Sequence, residues 1–321
     1  MEYTSFGKTG LRVSVAGLGC GGGSRLGASR GMSKMQSVAL VRVAMDLGVN
    51  LLDTAAAYGT ENIVGEAIKP VPRDSVVVAT KAQYRKGGAI VPVSDIVASL
   101  ENSLCELDTD YVDIFQFHAV RPQDYGLIRD EYAPALLRER EKGKLRHLGL
   151  TETPPNDPDN TMLKSAVHDD IWESVMLGFH MMHQGARKNV FPYTQANGIG
   201  TLAMFVVRGI FSIPGRLAST MAELARDGLV PDWLAKTDDQ LGFLVHEGGA
   251  DSVIDAAYRY ARHEPGTDVI LFGTGDLDHL RTNLASILAP PLPPADVARL
   301  AELFGCLEGV GLDLPVKRDG K

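Results

Sequence analysis

Short runs of β-branched and other apolar residues alternate with helix-like segments along most of the chain. This alternation is typical of βα units, whose strands pair in parallel while the helices cover the sheet. We expect eight strands, at Val13–Leu18, Asn50–Asp53, Ser75–Lys81, Tyr111–Phe117, Leu145–Leu150, Trp172–Leu177, Gly200–Val207 and Val269–Phe272. A (β/α)8 barrel usually has about 250 residues, plus insertions, so the sequence predicts an α/β protein with this TIM-barrel fold.

Helical periodicity, with Gly or Pro at several helix ends, follows most of the strands. We expect helices at Ser37–Leu47, Glu61–Ile68, Ser94–Leu107, Pro134–Lys142, Asn160–His168, Ser252–Arg262 and Leu277–Leu288, and an extra C-terminal helix at Ala295–Cys306. Residues 1–321 are interpreted as one barrel domain, with a long Gly- and Pro-rich loop insertion at about 189–244. The aromatic residues of this insertion either line a substrate pocket or pack it onto the barrel. They are Phe191, Tyr193, Phe211 and Trp233.

A doubly wound sheet is the competing architecture. Gly17, Gly19 and Gly22 match the GxGxxG spacing of a dinucleotide-binding turn. However, no helix begins directly after them. The first carboxylate at a strand end, Asp53, also lies farther along the chain than the roughly 20 residues that such folds use. The barrel is therefore favoured.

The composition excludes several classes of protein. The 321 residues carry a formal net charge of −8 without a basic run, which argues against nucleic acid or an anionic membrane as partner. No apolar stretch approaches the roughly 20 residues of a transmembrane helix, and the first residues lack the apolar core of a signal peptide. The three cysteines, Cys20, Cys105 and Cys306, share no metal-ligand spacing. We expect reduced thiols, no metal site and a cytoplasmic protein.

Four titratable residues of different type lie at or near the ends of successive predicted strands. Asp53 ends the second strand, Tyr58 follows it, Lys81 ends the third and His118 follows the fourth. Each has an ordinary structural explanation when taken alone, such as a helix cap or a solvated surface group. In a barrel, however, the C-terminal strand ends converge on one mouth. We therefore expect the four side chains to share one cavity.

The segments that carry these residues resemble the catalytic segments of the aldo-keto reductase family. They are Leu51-Leu52-Asp53-Thr54-Ala55-Ala56-Ala57-Tyr58-Gly59, Ala79-Thr80-Lys81 and Phe117-His118. Phe6-Gly7-Lys8-Thr9-Gly10-Leu11-Arg12-Val13-Ser14 resembles the N-terminal hairpin of the family, and Gly273-Thr274-Gly275 its cofactor-phosphate segment.

This resemblance implies an NAD(P)H-dependent oxidoreductase that reduces an aldehyde or ketone, or catalyses the reverse reaction. Tyr58 would donate the proton, because it lies near a lysine that lowers the high pKa of an ordinary phenol. Lys81 would tune Tyr58, Asp53 would hold Lys81, and His118 would orient the carbonyl. The implied partner is a small carbonyl compound, and the implied assembly is a monomer or a dimer.

The coenzyme implied by the resemblance is NADPH, with NADH as the second possibility. The expected coenzyme-binding residues are Gly22, Thr151, Phe205, Gly273, Thr274, Gly275, His279 and Asn283. Two acidic residues near the phosphate segment, Asp276 and Asp278, would repel a 2′-phosphate.

The chain departs from the family pattern at three strand ends. Glu152 stands beside Thr151 where the family has an amide, Met176 replaces a glutamine, and Met204-Phe205 replaces a stacking tyrosine. Two alternatives therefore stay open beside the reductase. One is a nucleotide-binding regulatory or partner subunit with little turnover, and the other is an epimerase or isomerase that retains its cofactor.

Overall fold

The computed structural model describes residues 1–312. Its strands are β1 (Tyr3–Ser5), β2 (Arg12–Ser14), β3 (Ala16–Gly19), β4 (Leu51–Asp53), β5 (Val77–Ala82), β6 (Arg85–Lys86), β7 (Ala89–Ile90), β8 (Val112–Phe117), β9 (Leu145–Thr151), β10 (Ser174–Gly178), β11 (Gly200–Met204) and β12 (Val269–Phe272). Strands β3, β4, β5, β8, β9, β10, β11 and β12 pair in parallel in this order and close into a barrel. The predicted (β/α)8 fold is confirmed.

Helices connect most successive barrel strands, and two further helices follow β12. They are α1 (Lys34–Asp46), α2 (Glu61–Ile68), α3 (Val93–Leu107), α4 (Tyr125–Leu127), α5 (Ala133–Glu141), α6 (Thr161–Ala166), α7 (Ala186–Asn189), α8 (Phe191–Asn197), α9 (Gly209–Ser212), α10 (Arg216–Arg226), α11 (Trp233–Lys236), α12 (Val253–Arg262), α13 (Leu277–Leu288) and α14 (Pro294–Phe304). The extra C-terminal helix expected at Ala295–Cys306 is α14. None of the helices in residues 1–312 combines the length and apolarity that a membrane crossing requires.

The N-terminal hairpin, β1 and β2, closes one end of the barrel. Phe6 and Val13 are fully buried and pack with interior residues of the barrel, among them Leu51 and Val269. Leu51 and Val269 are the first residues of β4 and β12, so the hairpin covers the N-terminal ends of the strands. The opposite end, where the strands finish, is the one that can hold a site.

The prediction of one strand over Val13–Leu18 was wrong. The chain changes partners within this range, because β2 pairs with β1 in an antiparallel hairpin and β3 begins only at Ala16. Ser14 makes the change possible. Its N–H donates to Asn50 Oδ1 over 2.6 Å, and its hydroxyl donates to the carbonyl of Ala16 over 2.7 Å.

The region at 189–244 is not the long loop that we expected. It contains α8, β11 and the helices α9, α10 and α11. Within it, the strand predicted at Gly200–Val207 ends at Met204, because Phe205 adopts a left-handed backbone conformation with φ of +66°.

Candidate active site

Asp53 and Lys81 form a buried ion pair at the C-terminal end of the barrel. Successive residues of a strand point to opposite faces, so Asp53 shares the inward face of β4 with Leu51, and Lys81 that of β5 with Ala79. Because Asp53 is paired in register with Ala79, Lys81 lies one inward position beyond it. The Lys81 Nζ atom donates to Asp53 Oδ2 over 2.8 Å and to the carbonyl of Thr54 over 2.7 Å.

The environment of this pair keeps Lys81 charged. Burial lowers the pKa of the Lys81 ammonium, but the nearby Asp53 and Tyr58 raise it more, so the pKa lies above its usual value. Asp53 Oδ1 is buried and has no hydrogen-bond partner within the described residues. The cavity wall therefore holds an ion pair whose ammonium group lies beside the Tyr58 ring.

Tyr58 lies on a short 3-10 turn, Ala56–Tyr58, in the loop that follows β4. The Lys81 Nζ atom lies 5.1 Å from the centroid of the Tyr58 ring. Burial raises the pKa of the Tyr58 hydroxyl, and the charge of Lys81 acts against this rise. The hydroxyl therefore carries its proton at neutral pH, with a cation placed to stabilise the phenolate.

His118 follows β8 directly and faces Tyr58. The two rings meet edge to face with 5.5 Å between their centroids, and 3.5 Å separates Tyr58 Oη from His118 Nε2. Burial, with a smaller contribution from the Lys81 charge, lowers the pKa of His118 to about 3. The imidazole is therefore neutral at physiological pH, and its Nδ1 atom is buried without a hydrogen-bond partner in the described part of the chain.

The structure thus brings Asp53, Tyr58, Lys81 and His118 together at one mouth. A phenol and an imidazole nitrogen converge on the same space above a buried ammonium group. Such a set can hydrogen-bond a carbonyl oxygen, supply a proton to it and stabilise the charge left on the phenol. Within residues 1–312, no group of three or more His, Cys, Asp or Glu side chains is arranged to hold a metal ion.

A glycine that the sequence reasoning did not single out shapes the Tyr58 side of this cavity. A Cβ atom on Gly21 would lie 2.4 Å from Tyr58 Cε2, so only glycine leaves room for the ring. Gly22, which we expected at the coenzyme, is the next residue and has open space where a Cβ would lie. The run of glycines at 21–23 was a usable signal for the close approach, but it did not indicate which glycine makes it.

The residues expected around the coenzyme phosphates lie beside the same mouth. Gly273, Thr274 and Gly275 follow β12, which neighbours β3 in the barrel. A Cβ on Gly275 would lie 2.4 Å from Gly27 Cα, so the loop after β3 packs directly on this segment.

Helix α13 begins immediately after that segment and carries the expected His279 and Asn283. Asp276 caps the helix, since its Oδ1 atom accepts from the N–H groups of Asp278 and His279, each over 2.9 Å. His279 is exposed and Asn283 is half-buried. The two are four positions apart, so both lie on one face of the helix.

Two other expected coenzyme residues have partners within the protein. Thr151, the last residue of β9, accepts from the Ala119 N–H through its hydroxyl oxygen over 2.7 Å. The half-buried Phe205 lies under Arg208, whose Cζ atom is 4.1 Å from the ring centroid.

Glu152, beside Thr151, is buried without a cationic partner within the described residues. Its carboxyl oxygens accept from the Gly178 N–H over 2.6 Å and from Asn160 Nδ2 over 2.9 Å. Burial raises its pKa to about 8, which favours the protonated form at neutral pH. Its side chain thus ties the loop after β9 to the end of β10.

The fold and this cavity define a barrel oxidoreductase. A model of the aldo/keto reductase family matches residues 18–304, and the chain belongs to that family. It is 30% identical over 295 residues to aldo-keto reductase YhdN of Bacillus subtilis, with 85% of each chain covered. It is 31% identical over 333 aligned positions to L-galactose dehydrogenase of Arabidopsis thaliana, covering 97% of this chain and 95% of the relative.

A solved structure of an aldo/keto reductase from Klebsiella pneumoniae, in complex with NADP and acetate, has the same fold. Its TM-score is 0.66 at 22% identity, over 94% of this chain and 95% of that one. The protein is accordingly an NAD(P)H-dependent oxidoreductase that interconverts carbonyl compounds and alcohols. The alternatives of a partner subunit and of an epimerase are not favoured.

Proposed function

We propose that Tyr58 donates the proton that completes reduction of a carbonyl group to an alcohol, and accepts it in the reverse reaction. The observation that carries this proposal is the 3.5 Å separation of Tyr58 Oη and His118 Nε2 beside the buried Lys81–Asp53 pair. A carbonyl oxygen beside both atoms, at hydrogen-bond distance from each, would contact both groups. In reduction, the proton moves from Tyr58 Oη to the substrate oxygen, and the phenolate that remains lies near the ammonium group of Lys81.

Lys81 and Asp53 have separate tasks in this proposal. An ordinary phenol, with a pKa of about 10, is a weak acid near neutral pH, and burial weakens it further. The positive charge of Lys81 favours the phenolate and so offsets part of the effect of burial. Asp53 fixes the Lys81 side chain, and the carbonyl of Thr54 provides a second acceptor for it.

His118 orients the substrate. Its low pKa keeps the ring neutral, so no imidazolium group competes with Tyr58 as the proton donor. In the tautomer with hydrogen on Nε2, the ring donates a hydrogen bond to the carbonyl oxygen and polarises it.

The cavity suits a nicotinamide coenzyme at the C-terminal strand ends. Gly22 and Gly23 leave open space where side chains would lie, and Asp53 Oδ1 and His118 Nδ1 are buried there without partners among residues 1–312. When bound, the coenzyme supplies the hydride that the carbonyl carbon accepts. Of the eight residues expected from the sequence, seven would hold it: Gly22, Phe205, Gly273, Thr274, Gly275, His279 and Asn283. The hydroxyl oxygen of the eighth, Thr151, accepts from the Ala119 N–H instead.

We propose NADPH as the coenzyme, with only a small preference over NADH. Asp276 presents a carboxylate beside the expected phosphate segment, which disfavours a 2′-phosphate. The amide hydrogen bonds of the helix cap lower the pKa of the Asp276 carboxyl, and the positive charges of His279 and Arg30 add a smaller lowering. Arg30 therefore offsets part of the repulsion.

The function is tested by titrating the purified protein with NADPH and with NADH while tryptophan fluorescence is recorded. Turnover is then measured in both directions, with a generic aldehyde for reduction and an aldose for oxidation, since one relative is named a reductase and another an L-galactose dehydrogenase. Saturable binding with turnover supports the proposal. Binding without turnover in either direction would instead support a partner subunit, and an absence of nucleotide binding would overturn the proposal.

The free thiols of Cys105 and Cys306 are exposed, which suits a reducing compartment. We therefore propose a cytoplasmic location. Because the four catalytic side chains come from one barrel, we also propose that the monomer is active, whether or not two copies associate.

A further inference from the structure

Ala119, the residue directly after His118, has an unusual backbone conformation. Its φ angle is +58°, in the left-handed region that a side chain disfavours and that glycine adopts freely. Such a conformation persists only where the surroundings impose it. The strain lies one residue from the imidazole that faces Tyr58, so the contacts that impose it also bear on the position of His118.

Those contacts come from the two strands on either side of β8. On one side, the His118 N–H donates to the carbonyl of Ala82, the last residue of β5, over 2.9 Å. On the other side, the Ala119 N–H donates to Thr151 Oγ1 over 2.7 Å, and the Val120 N–H donates to the Thr151 carbonyl over 2.9 Å.

Thr151 therefore accepts hydrogen bonds from two successive N–H groups of this turn, those of Ala119 and Val120. Its side chain is buried, and its hydroxyl is the acceptor for the N–H of the strained residue itself. If this acceptor were missing, Ala119 would lose the hydrogen bond that offsets its unfavourable φ angle. The backbone at residues 118–120 would then relax, and the imidazole would move with it.

We propose that Thr151 is a positioning residue for catalysis, holding Ala119 in the left-handed conformation and thereby His118 at the Tyr58 hydroxyl. This inference rests on the proposed role of His118. It differs from the expectation that the Thr151 hydroxyl serves to bind the coenzyme, because the hydroxyl oxygen is engaged by the backbone next to the catalytic histidine.

The test compares variants at Thr151, which remove or restore the hydroxyl, with a variant at Ala119 that removes the backbone strain. Thr151→Val deletes the acceptor at nearly constant shape, and Thr151→Ser restores it. Ala119→Gly relieves the strain, because glycine adopts this φ angle without penalty. Thr153→Val is the matched control, since the Thr153 hydroxyl accepts from Asn156 Nδ2 rather than from the backbone N–H groups of the turn. For each variant, kcat, the KM values of coenzyme and substrate, and the melting temperature are measured.

Thr151→Val should lower kcat about tenfold, the loss expected from one buried hydrogen bond, while the coenzyme KM changes less than about twofold. Thr151→Ser should restore most of the lost kcat, and Thr153→Val should leave it unchanged. In the Ala119→Gly background, Thr151→Val should lower kcat by no more than about threefold, because the two residues act on the same turn.

Three results would overturn the proposal: an increased coenzyme KM with unchanged kcat in Thr151→Val, no recovery in Thr151→Ser, or an equal loss in both Ala119 backgrounds. A failure of the proposed role of His118 can be told apart from these results, because His118→Gln itself would then leave kcat unchanged.

Discussion

Lys81 Nζ lies 2.8 Å from Asp53 Oδ2, and both side chains are almost completely withdrawn from solvent. Burying an ion pair costs desolvation free energy that the mutual attraction has to offset. The barrel makes this arrangement possible because the pairing of β4 with β5 places the two side chains on neighbouring inward positions. The ammonium group of this pair would stabilise a phenolate that forms on Tyr58 beside it.

This relationship predicts that stability and activity can be separated at the pair. Asp53→Asn should destabilise the protein by about 3–5 kcal/mol, because it leaves the ammonium of Lys81 buried without its counter-charge. The double change Asp53→Leu with Lys81→Met should recover most of that stability, since it replaces the pair by apolar groups, but it should not recover kcat. Urea unfolding and steady-state kinetics measure the two effects. A double variant with wild-type kcat would show that the pair has no part in the chemistry.

His118 should make the protein less stable toward acid. Its pKa is about 3 in the folded state and about 6.5 when unfolded, so between these values only the unfolded chain takes up the proton. The contribution of the neutral ring is therefore fully present above pH 6.5 and is lost as the pH falls toward 3.

Urea unfolding at pH 7 and pH 5 measures this effect in the wild type and in His118→Gln. The variant should lose less stability between the two pH values, by up to about 1.4 kcal/mol per pH unit. The two buried histidines, His180 and His183, are present in both proteins and cancel in the comparison. Equal losses in both proteins would contradict the assignment of a neutral His118.

Glu152 should have the opposite pH dependence. Its folded pKa is about 8 against an ordinary value of 4.5, so the folded state holds an extra proton between these values. The stability that this group contributes is fully present below pH 4.5 and is lost as the pH rises through 8.

Glu152→Gln keeps the shape without the charge, and Asn160 can adapt because its Oδ1 atom is buried without a partner among residues 1–312. The variant should gain stability over the wild type as the pH rises from 5 to 8, by about 1 kcal/mol per pH unit. Thermal unfolding across this range checks the trend. A constant difference at all pH values would show that Glu152 does not titrate in it.

Asp276 should limit the preference for NADPH. Asp276→Asn keeps a good helix cap and removes the carboxylate charge beside the phosphate segment. It should lower the KM for NADPH about three- to tenfold and leave the KM for NADH nearly unchanged. Arg30→Ala should have the opposite effect and raise the KM for NADPH relative to that for NADH. If Asp276→Asn changed both KM values equally, the carboxylate would not be facing the 2′-phosphate.

The convergence of the four titratable groups was predictable because it depends on few features. Asp53, Lys81 and His118 stand at the ends of short, strongly β-prone runs, and a barrel brings strand ends together whatever the details of its loops. Tyr58 follows Asp53 so closely that the loop cannot carry it far from the mouth.

Other features depend on partners that are remote in the sequence. Strand β2 separates from β3 because the Ser14 N–H donates to Asn50 Oδ1, and no local sequence pattern indicates that contact. Strand β11 ends where Phe205 becomes left-handed, a conformation that its residue type argues against. The Thr151 hydroxyl accepts a hydrogen bond from Ala119, which lies in the loop after a different strand, β8. The sequence around Thr151 does not indicate this contact.

The identity of Tyr58 as the proton donor is the central claim, and it is tested most directly by Tyr58→Phe. Tyr111→Phe makes the same chemical change just before β8 begins, at the opposite end of the strand from His118. The kcat for aldehyde reduction and the dissociation constant of the coenzyme are measured for both. Tyr58→Phe should lower kcat by about 10²- to 10⁴-fold with little change in coenzyme affinity, while Tyr111→Phe retains activity. A kcat for Tyr58→Phe within about threefold of the wild type would contradict the account.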